Sequence, residues 1–312
     1  MRIVITGGAG FIGSHLVDHY LARGVDVVVI DNLITGREEN ISAHRNNRRF
    51  TFMNEDVCRV TTIDGSIDAI LHFACPASPF DYLKYPLETL QVMSVGTRQM
   101  LDIARAKNAK FFLASTSEVY GDPDVHPQKE EYYGNVNVLS PRAVYDEGKR
   151  FAETVTIAYH RKYNTNIGII RIFNTYGERM RSADGRVIPT FISEALANRR
   201  LPIFGDGSQT RSFCYIEDMV QGVTKAVEID YPLPINLGNP AEYTVLQVAD
   251  IIRKLCKSAS ELQYMPLPDS DPKKRKPDIA RAQSLLQWQP SVSLEQGLVK
   301  VIAWFKERRR DD

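Results

Sequence analysis

Tyr145 and Lys149 stand four residues apart in Tyr145-Asp146-Glu147-Gly148-Lys149, and about thirty residues upstream runs Ser115-Thr116-Ser117-Glu118. On a helix, side chains four apart project from one face, one turn from each other. An ammonium beside a phenol favours the phenolate. Free tyrosine has a pKa of about 10, so roughly one molecule in a thousand is ionised at neutral pH. Bringing that value to about 7 takes around 4 kcal/mol of differential interaction, within reach of Lys149 and a second close cation in a dry cleft. A tyrosine so poised is a general base for a sugar or alcohol hydroxyl during hydride transfer. Without a partner for that chemistry, Tyr-x-x-x-Lys is two ordinary helix residues.

The partner is written at the start of the chain. Ile3-Val4-Ile5 is followed by Thr6-Gly7-Gly8-Ala9-Gly10-Phe11-Ile12-Gly13, which fits a strand, a tight turn and a helix start. Amides at Gly7, Gly10 and Gly13 can approach a pyrophosphate with no side chain in the way. A helical stretch to about Arg23 comes next, then Val25-Asp26-Val27-Val28-Val29-Ile30 reads as a buried strand ending at Asp31. Asp31 lies eighteen positions past Gly13, where a ribose hydroxyl is held. A carboxylate there repels a 2′-phosphate and favours NAD, with NADP left open by Arg37. Asp56-Val57 is a candidate for the adenine edge, and Lys149 can also bond the nicotinamide ribose. The expected cofactor set is Gly7, Gly10, Phe11, Ile12, Gly13, Asp31, Asn32, Thr35, Gly36, Asp56, Val57, Tyr145 and Lys149. His72, without evident ligand partners, reads as structural.

These residues need a scaffold, and the chain alternates strand-like and helical patterns through its first half. Strands are predicted near 2–6, 25–30, 50–53, 68–73, 110–115 and 166–171, and helices over about 11–23, 86–107 and 143–163. This alternation predicts an α/β fold, a Rossmann-type doubly wound parallel sheet with a smaller interleaved C-terminal substrate lobe. The expected division is 1–174 for the NAD-binding domain, with part of 212–238 returning to it, and 175–211 plus 239–312 for the lobe. Leu294 to Phe305 reads as a final amphipathic helix, and the tail Arg308-Arg309-Arg310-Asp311-Asp312 as solvated and frayed.

Composition excludes several function classes. With 312 residues the chain can bury a large core, and 39 basic against 38 acidic residues leave no electrostatic footprint for nucleic acid. No apolar run approaches the roughly 20 residues of a membrane span. The first strand begins at Arg2, so no signal or transit peptide is expected. Cys58, Cys75, Cys214 and Cys256 are scattered without zinc or redox spacing, which predicts free thiols in a reducing cytoplasm and no metal site.

From Arg2 to Phe305 the chain resembles the extended short-chain dehydrogenase/reductases that act on nucleotide sugars, and more narrowly the UDP-glucuronate decarboxylase family. The resemblance is carried by Ala114-Ser115-Thr116-Ser117-Glu118-Val119-Tyr120-Gly121-Asp122-Pro123, Tyr145-Asp146-Glu147-Gly148-Lys149-Arg150, Arg171-Ile172-Phe173-Asn174-Thr175-Tyr176-Gly177 and Asp271-Pro272-Lys273-Lys274-Arg275-Lys276-Pro277-Asp278. It implies that NAD oxidises glucuronate at ring C4, that the β-keto acid loses carbon dioxide, and that protonation at C5 with return of the hydride gives UDP-xylose. By the same resemblance Tyr145 takes the C4 hydroxyl proton, Thr116 orients that hydroxyl, Glu118 with Ser117 supports proton transfer at C5, and Arg275 grips the glucuronate carboxylate. Glu118 also has a logic of its own, since desolvation raises a carboxyl toward neutral pH. A guanidinium fork suits a planar carboxylate.

The resemblance further implies nucleotide-sugar contacts from Asn174, Arg186, Val187, Phe204 and Arg211, and a homodimer built on the helices near 86–107 and 143–163. Two departures stand out. Met93-Ser94 occupies a place where many relatives carry an asparagine, which leaves the hydrogen bonding behind Tyr145 open. Cys75 stands where a small hydroxyl is common and reads as a packed thiol. Relatives that are 4,6-dehydratases carry an aspartate-glutamate pair where Ser117-Glu118 stands, and a 4-epimerase needs neither Glu118 nor Arg275. Those two activities are the alternatives, and a nucleotide-sensing protein on the same fold is a third.

Overall fold

The computed structural model describes residues 1–267 and 274–311. In β1 (Arg2–Thr6) side chains alternate, so Ile3 and Ile5 enter one apolar core while Val4 enters another on the opposite face. The same alternation continues in β2 (Asp26–Ile30), and both faces of the sheet are buried. α1 (Phe11–Ala22) starts directly from the glycine turn. A Cβ at Gly13 would lie 2.2 Å from the Gly7 carbonyl oxygen, so only glycine lets this helix start so close to the strand end.

The sheet grows outward through β3 (Phe50–Met53) on one side and β4 (Ala69–His72) on the other. Next to β4 the chain forms α2 (Pro79–Lys84), α3 (Pro86–Gln91), a π-helical turn over Val92–Gly96, and α4 (Thr97–Ala106). The helix expected over 86–107 is therefore interrupted by a wide turn, and this turn contains Met93 and Ser94. Then come β5 (Lys110–Thr116), a 3-10 turn over Ser117–Tyr120, α5 (Ala143–Tyr163) and β6 (Ile167–Ile172).

Beyond β6 the glycine- and proline-rich half is more regular than its composition suggests. It holds β7 (Thr175–Tyr176), α6 (Val187–Leu196), β8 (Leu201–Phe204), β9 (Thr210–Ser212), β10 (Cys214–Tyr215) and α7 (Ile216–Glu228). β11 (Pro234–Leu237), β12 (Glu242–Thr244), α8 (Val245–Cys256), β13 (Leu262–Met265), β14 (Lys274–Arg275), α9 (Ala280–Leu286) and α10 (Leu294–Asp311) follow. β11 returns to the large sheet beside β6, giving seven parallel strands in the order β11-β6-β5-β4-β1-β2-β3. Strand order reverses between β1 and β4, and a ligand crevice opens there at the carboxyl ends of the strands. This is the predicted Rossmann-type architecture.

The smaller lobe has its own short sheets, β12-β9-β14, β13-β8 and β10-β7. β14 joins β9 in parallel, setting Arg275 beside Arg211. Asp271, Pro272 and Lys273, part of the stretch that carries the resemblance, lie outside the described residues, as does Asp312. The expected frayed tail is corrected: α10 continues to Asp311, and Arg308 reaches Glu39 at 2.9 Å while lying over the Trp304 ring. No helix among the described residues is long and apolar enough to cross a membrane.

Asp218 on α7 ties the C-terminal segment to the large sheet. Its buried carboxylate accepts from the Ser291 amide and hydroxyl and from the Val292 amide at 2.9 to 3.1 Å, while its carbonyl takes the Trp288 indole N–H at 3.0 Å. Asp218→Ala strands those donors, so unfolding in urea is expected to show a loss of about 3 kcal/mol with an unchanged denaturant slope.

Candidate active site

β5 is buried along its whole length and ends at Thr116, whose hydroxyl accepts from the Glu118 amide and starts the 3-10 turn. α5 lies across this strand end. Gly148 lets it pack closely, because a Cβ there would come within 2.5 Å of the Met93 sulfur. Tyr145, Lys149 and Glu153, spaced by four, share the buried face. Lys149 donates to the Ala114 carbonyl at 2.7 Å, and Ser115 donates to Glu153 at 2.6 Å. Arg171 on β6 closes a fork on the same Glu153 carboxylate at 2.7 and 2.9 Å. The open question behind Tyr145 thus has an answer: Met93 packs on Gly148, and the Ala114 carbonyl holds the lysine.

One cleft of about 820 Å³ runs from the glycine turn past Tyr145 into the smaller lobe. It is lined by every residue of the expected cofactor set, by Thr116, Ser117, Glu118 and Arg275, and by Asn174, Arg186, Val187, Phe204 and Arg211. The described structure therefore brings all of them together. Arg186 is forked onto Asp184 before α6, and Arg211 donates to the Thr210 carbonyl at 2.8 Å.

The cofactor end fits NAD. Asp31 accepts from the amides of Ala9 and Leu33 at 3.0 and 2.9 Å, and burial pushes its carboxyl above the ordinary aspartate value. Gly36 crosses so near that a Cβ would lie 2.9 Å from either carboxylate oxygen. An acceptor so placed suits a ribose diol, and a carboxylate there repels a 2′-phosphate. Arg37, the cation NADP would need, pairs with Glu39 at 3.1 Å. His72 is structural: it bonds Thr6 at 2.8 Å and Thr97 at 3.3 Å, and burial brings its pKa down to about 3.

At the chemical end one expectation, the raised Glu118 carboxyl, is corrected, and the fold sets the surroundings of Tyr145 and Arg275. Tyr145 does not titrate near 7 on the chain's own groups. Burial holds its phenol well above 10, with Cys75, Glu118 and Tyr82 adding to the shift and a Thr116 hydrogen bond opposing it. The Lys149 ammonium is 5.8 Å from the ring centroid and is engaged by Ala114. Glu118 is not a raised carboxyl either. Burial pushes it up, but Arg275 and Arg142 outweigh burial and bring it down to about 2. Arg275, expected as a grip for a substrate carboxylate, donates to Glu118 and to the Gly121 carbonyl, leaving its buried Nε without an acceptor among the described residues. Cys75 is a packed thiol raised to about 11 by burial.

Three neighbours escaped the sequence reading. Tyr82 on α2 stacks on Tyr145 with centroids 5.1 Å apart and planes 13° from parallel. Arg142 reaches Glu118 at 2.7 Å. Asp146, next to Tyr145, has a carboxyl pushed up to about 7 by burial and then by the Glu118 charge. Arg142, three positions before Tyr145, was within reach of the spacing argument, and Asp146, the immediate neighbour of Tyr145, was not. Tyr82 has no local signal.

A Rossmann crevice that ends at a Tyr–Lys pair and a threonine hydroxyl defines an enzyme that works on a hydroxyl with a nicotinamide cofactor. The model of the NAD dependent epimerase/dehydratase family matches residues 3–238. Among curated proteins, "UDP-glucuronic acid decarboxylase 4" of Arabidopsis thaliana is 48% identical over 99% of this chain and 69% of its own length. "UDP-glucuronic acid decarboxylase 1" of Danio rerio is 47% identical over 97% of this chain and 72% of its own. Among solved structures, UDP-glucuronic acid 4-epimerase from Bacillus cereus, in complex with UDP-glucuronic acid and NAD, is similar with a TM-score of 0.89 and 31% identity, covering 99% and 100% of the two chains. The chain belongs to the NAD dependent epimerase/dehydratase family, and NAD is its cofactor.

Replacing Asp31 by alanine removes the buried acceptor at the ribose end. Calorimetric titration is expected to show NAD binding weakened by about ten-fold or more, with far-UV dichroism unchanged.

Proposed function

We propose that the chain decarboxylates UDP-glucuronate to UDP-xylose, using NAD held in the cleft and regenerated in each cycle. The observation that carries this reading is Arg275: β14 sets a buried guanidinium, whose Nε has no acceptor among the described residues, against the cleft that holds Tyr145 and Lys149. A donor for a carboxylate beside a site for alcohol oxidation suits a uronic acid. The relatives at 47 and 48% identity carry the same activity in their names.

Bound NAD supplies the hydride acceptor and a cationic ring, chemistry absent from the chain's own side chains. Tyr145 takes the C4 hydroxyl proton and later returns it, while Thr116 orients the hydroxyl. Lys149, anchored on Ala114, fixes the approach to the nicotinamide ribose. Once C4 is a ketone, the carboxylate on C5 is lost as carbon dioxide and its electron pair is delocalised onto the ketone oxygen. Ser117 and Glu118 stand at the C5 side, and Arg275 orients the carboxylate. Asn174, Arg186, Val187, Phe204 and Arg211 hold the nucleotide. The division into 1–174 with part of 212–238, and 175–211 with 239–312, is part of this proposal: the first carries NAD and the second the nucleotide sugar.

The proposal includes a homodimer in the cytoplasm. Leu87, Leu90, Val95 and Phe151 are exposed along α3, the π turn and α5, an apolar face suited to a helical bundle with a second copy. The described cysteines are all unpaired, as suits a reducing compartment.

Incubation with UDP-glucuronate, followed by NMR of the sugar and by carbon dioxide release, tests the reaction. Carbon dioxide with UDP-xylose and no net NADH is expected. UDP-galacturonate without carbon dioxide would establish instead a 4-epimerase, the activity named for the Bacillus cereus neighbour. Tyr145→Phe is expected to keep NAD affinity and to lose about 10²-fold or more in turnover, and near-normal turnover would remove Tyr145 from its role. Arg275→Ala is expected to weaken UDP-glucuronate binding far more than NAD binding, and unchanged affinity and turnover would take Arg275 out of the site.

A further inference from the structure

Decarboxylation consumes one proton per turnover. The bond from C5 to the carboxylate carbon breaks, carbon dioxide leaves, and the electron pair left behind must acquire a proton to form the new C5–H bond. Tyr145 cannot be the net source, because the proton it gains when C4 is oxidised returns when C4 is reduced. Glu118 holds no proton at neutral pH, clamped as it is between Arg275 and Arg142. A route for one proton from solvent is therefore required by the stoichiometry.

A second cavity, of about 260 Å³, is lined by Arg142, which reaches Glu118 at 2.7 Å. Asp122, Asn135 and Asn137 on its wall are exposed, Ser140 and Arg142 are half-buried, and Asp146 is buried. Arg142 lines both this cavity and the main cleft. The volume is enough for several waters at about 30 Å³ each. Asp146 is 6% exposed, and its buried Oδ1 has no hydrogen-bond partner among the described residues. A buried carboxyl oxygen left unsatisfied is costly unless water reaches it or a role requires it.

We propose that Asp146 carries the proton that decarboxylation consumes, taking it from water in the smaller cavity and passing it, through water oriented by the ionised Glu118, to ring C5. Asp146 touches neither sugar nor cofactor and is a positioning residue. In passing the proton on it becomes a carboxylate, and solvent at the cavity mouth restores the acid. The groups that act on it are consistent with this cycle. Glu118 and Glu147 favour its protonated form, Arg142 and Arg275 its ionised form, while Tyr82 faces it from α2 and Asp122 shares the cavity wall. Burial is the largest influence, and the carboxyl is pushed up to about 7. The acid is thus loaded below about pH 7 and empties as pH rises above it.

This inference rests on the decarboxylase reading, and the test separates the two. Carbon dioxide release and transient NADH are followed across pH 5.5 to 9 for the unaltered chain, Asp146→Asn and Asp146→Glu. For Asp146→Asn, C4 oxidation and UDP-glucuronate affinity should persist. UDP-xylose formation should fall about 10²-fold and lose the decline that the unaltered chain shows above neutral pH. Asp146→Glu should restore much of the rate together with that decline. Turnover of Asp146→Asn within three-fold of the unaltered chain, with the same pH profile, overturns the proton route and leaves the decarboxylase reading standing. An unaltered chain that releases no carbon dioxide from UDP-glucuronate overturns both. Infrared titration of the unaltered chain needs no variant to fold: one protonated carboxyl persisting to about pH 7 is expected, and its absence overturns the proposal.

Discussion

The site depends on the fixed register between α5 and β5. Lys149 is bonded to the Ala114 carbonyl, and one turn further on Glu153 collects the Ser115 hydroxyl and the Arg171 guanidinium. Buried charges in such an arrangement add little net stability after desolvation, but any other register would strand them. A slip of one turn, about 5.4 Å, would carry Tyr145 away from Thr116 and leave Glu153 without partners. The glycine turn, the strand ends and the lobe are then arranged around a helix that has one place to sit.

On that frame, neighbouring acids are driven apart. Glu118 faces two guanidinium groups and stays ionised, Asp146 is buried within reach of the Glu118 charge and favours its acid form, and Tyr145 is sealed under Tyr82 as a phenol. Separation of this kind lets several titratable groups share a small volume with distinct roles. Hydrogen bonding alone would not achieve it, since the deciding influences are burial and the sign of the nearest charge.

Local determinants were legible in the sequence. The glycine turn, Asp31 eighteen residues later and the Tyr–Lys spacing each follow from geometry within one or two elements, and each is found at its expected place. The acidity of Glu118 was not, because it is set by Arg142 and Arg275, 24 and 157 positions away. Isolated from those two, desolvation was the governing effect and gave the opposite sign. The surroundings of Tyr145 were hidden for a related reason: the i,i+4 argument sees Lys149 but not the Ala114 carbonyl that takes its ammonium or the Tyr82 ring that covers the phenol. The C-terminal helix was cut short because its last turns look like a charged tail, and the contact that explains Arg308 is with Glu39, 269 positions away.

The two-residue strand β14 enters its sheet only by pairing with Thr210 and Arg211, and it brings Arg275 into a pocket whose oxidising half is complete by Lys149. Synthesis from the ribosome therefore delivers Tyr145 and Lys149 first and Arg275 more than a hundred residues later. The same separation gives the molecule modularity. Under the proposed reaction, the grip on the substrate carboxylate can be altered through one late, short strand while Tyr145 and Lys149 stay as they are.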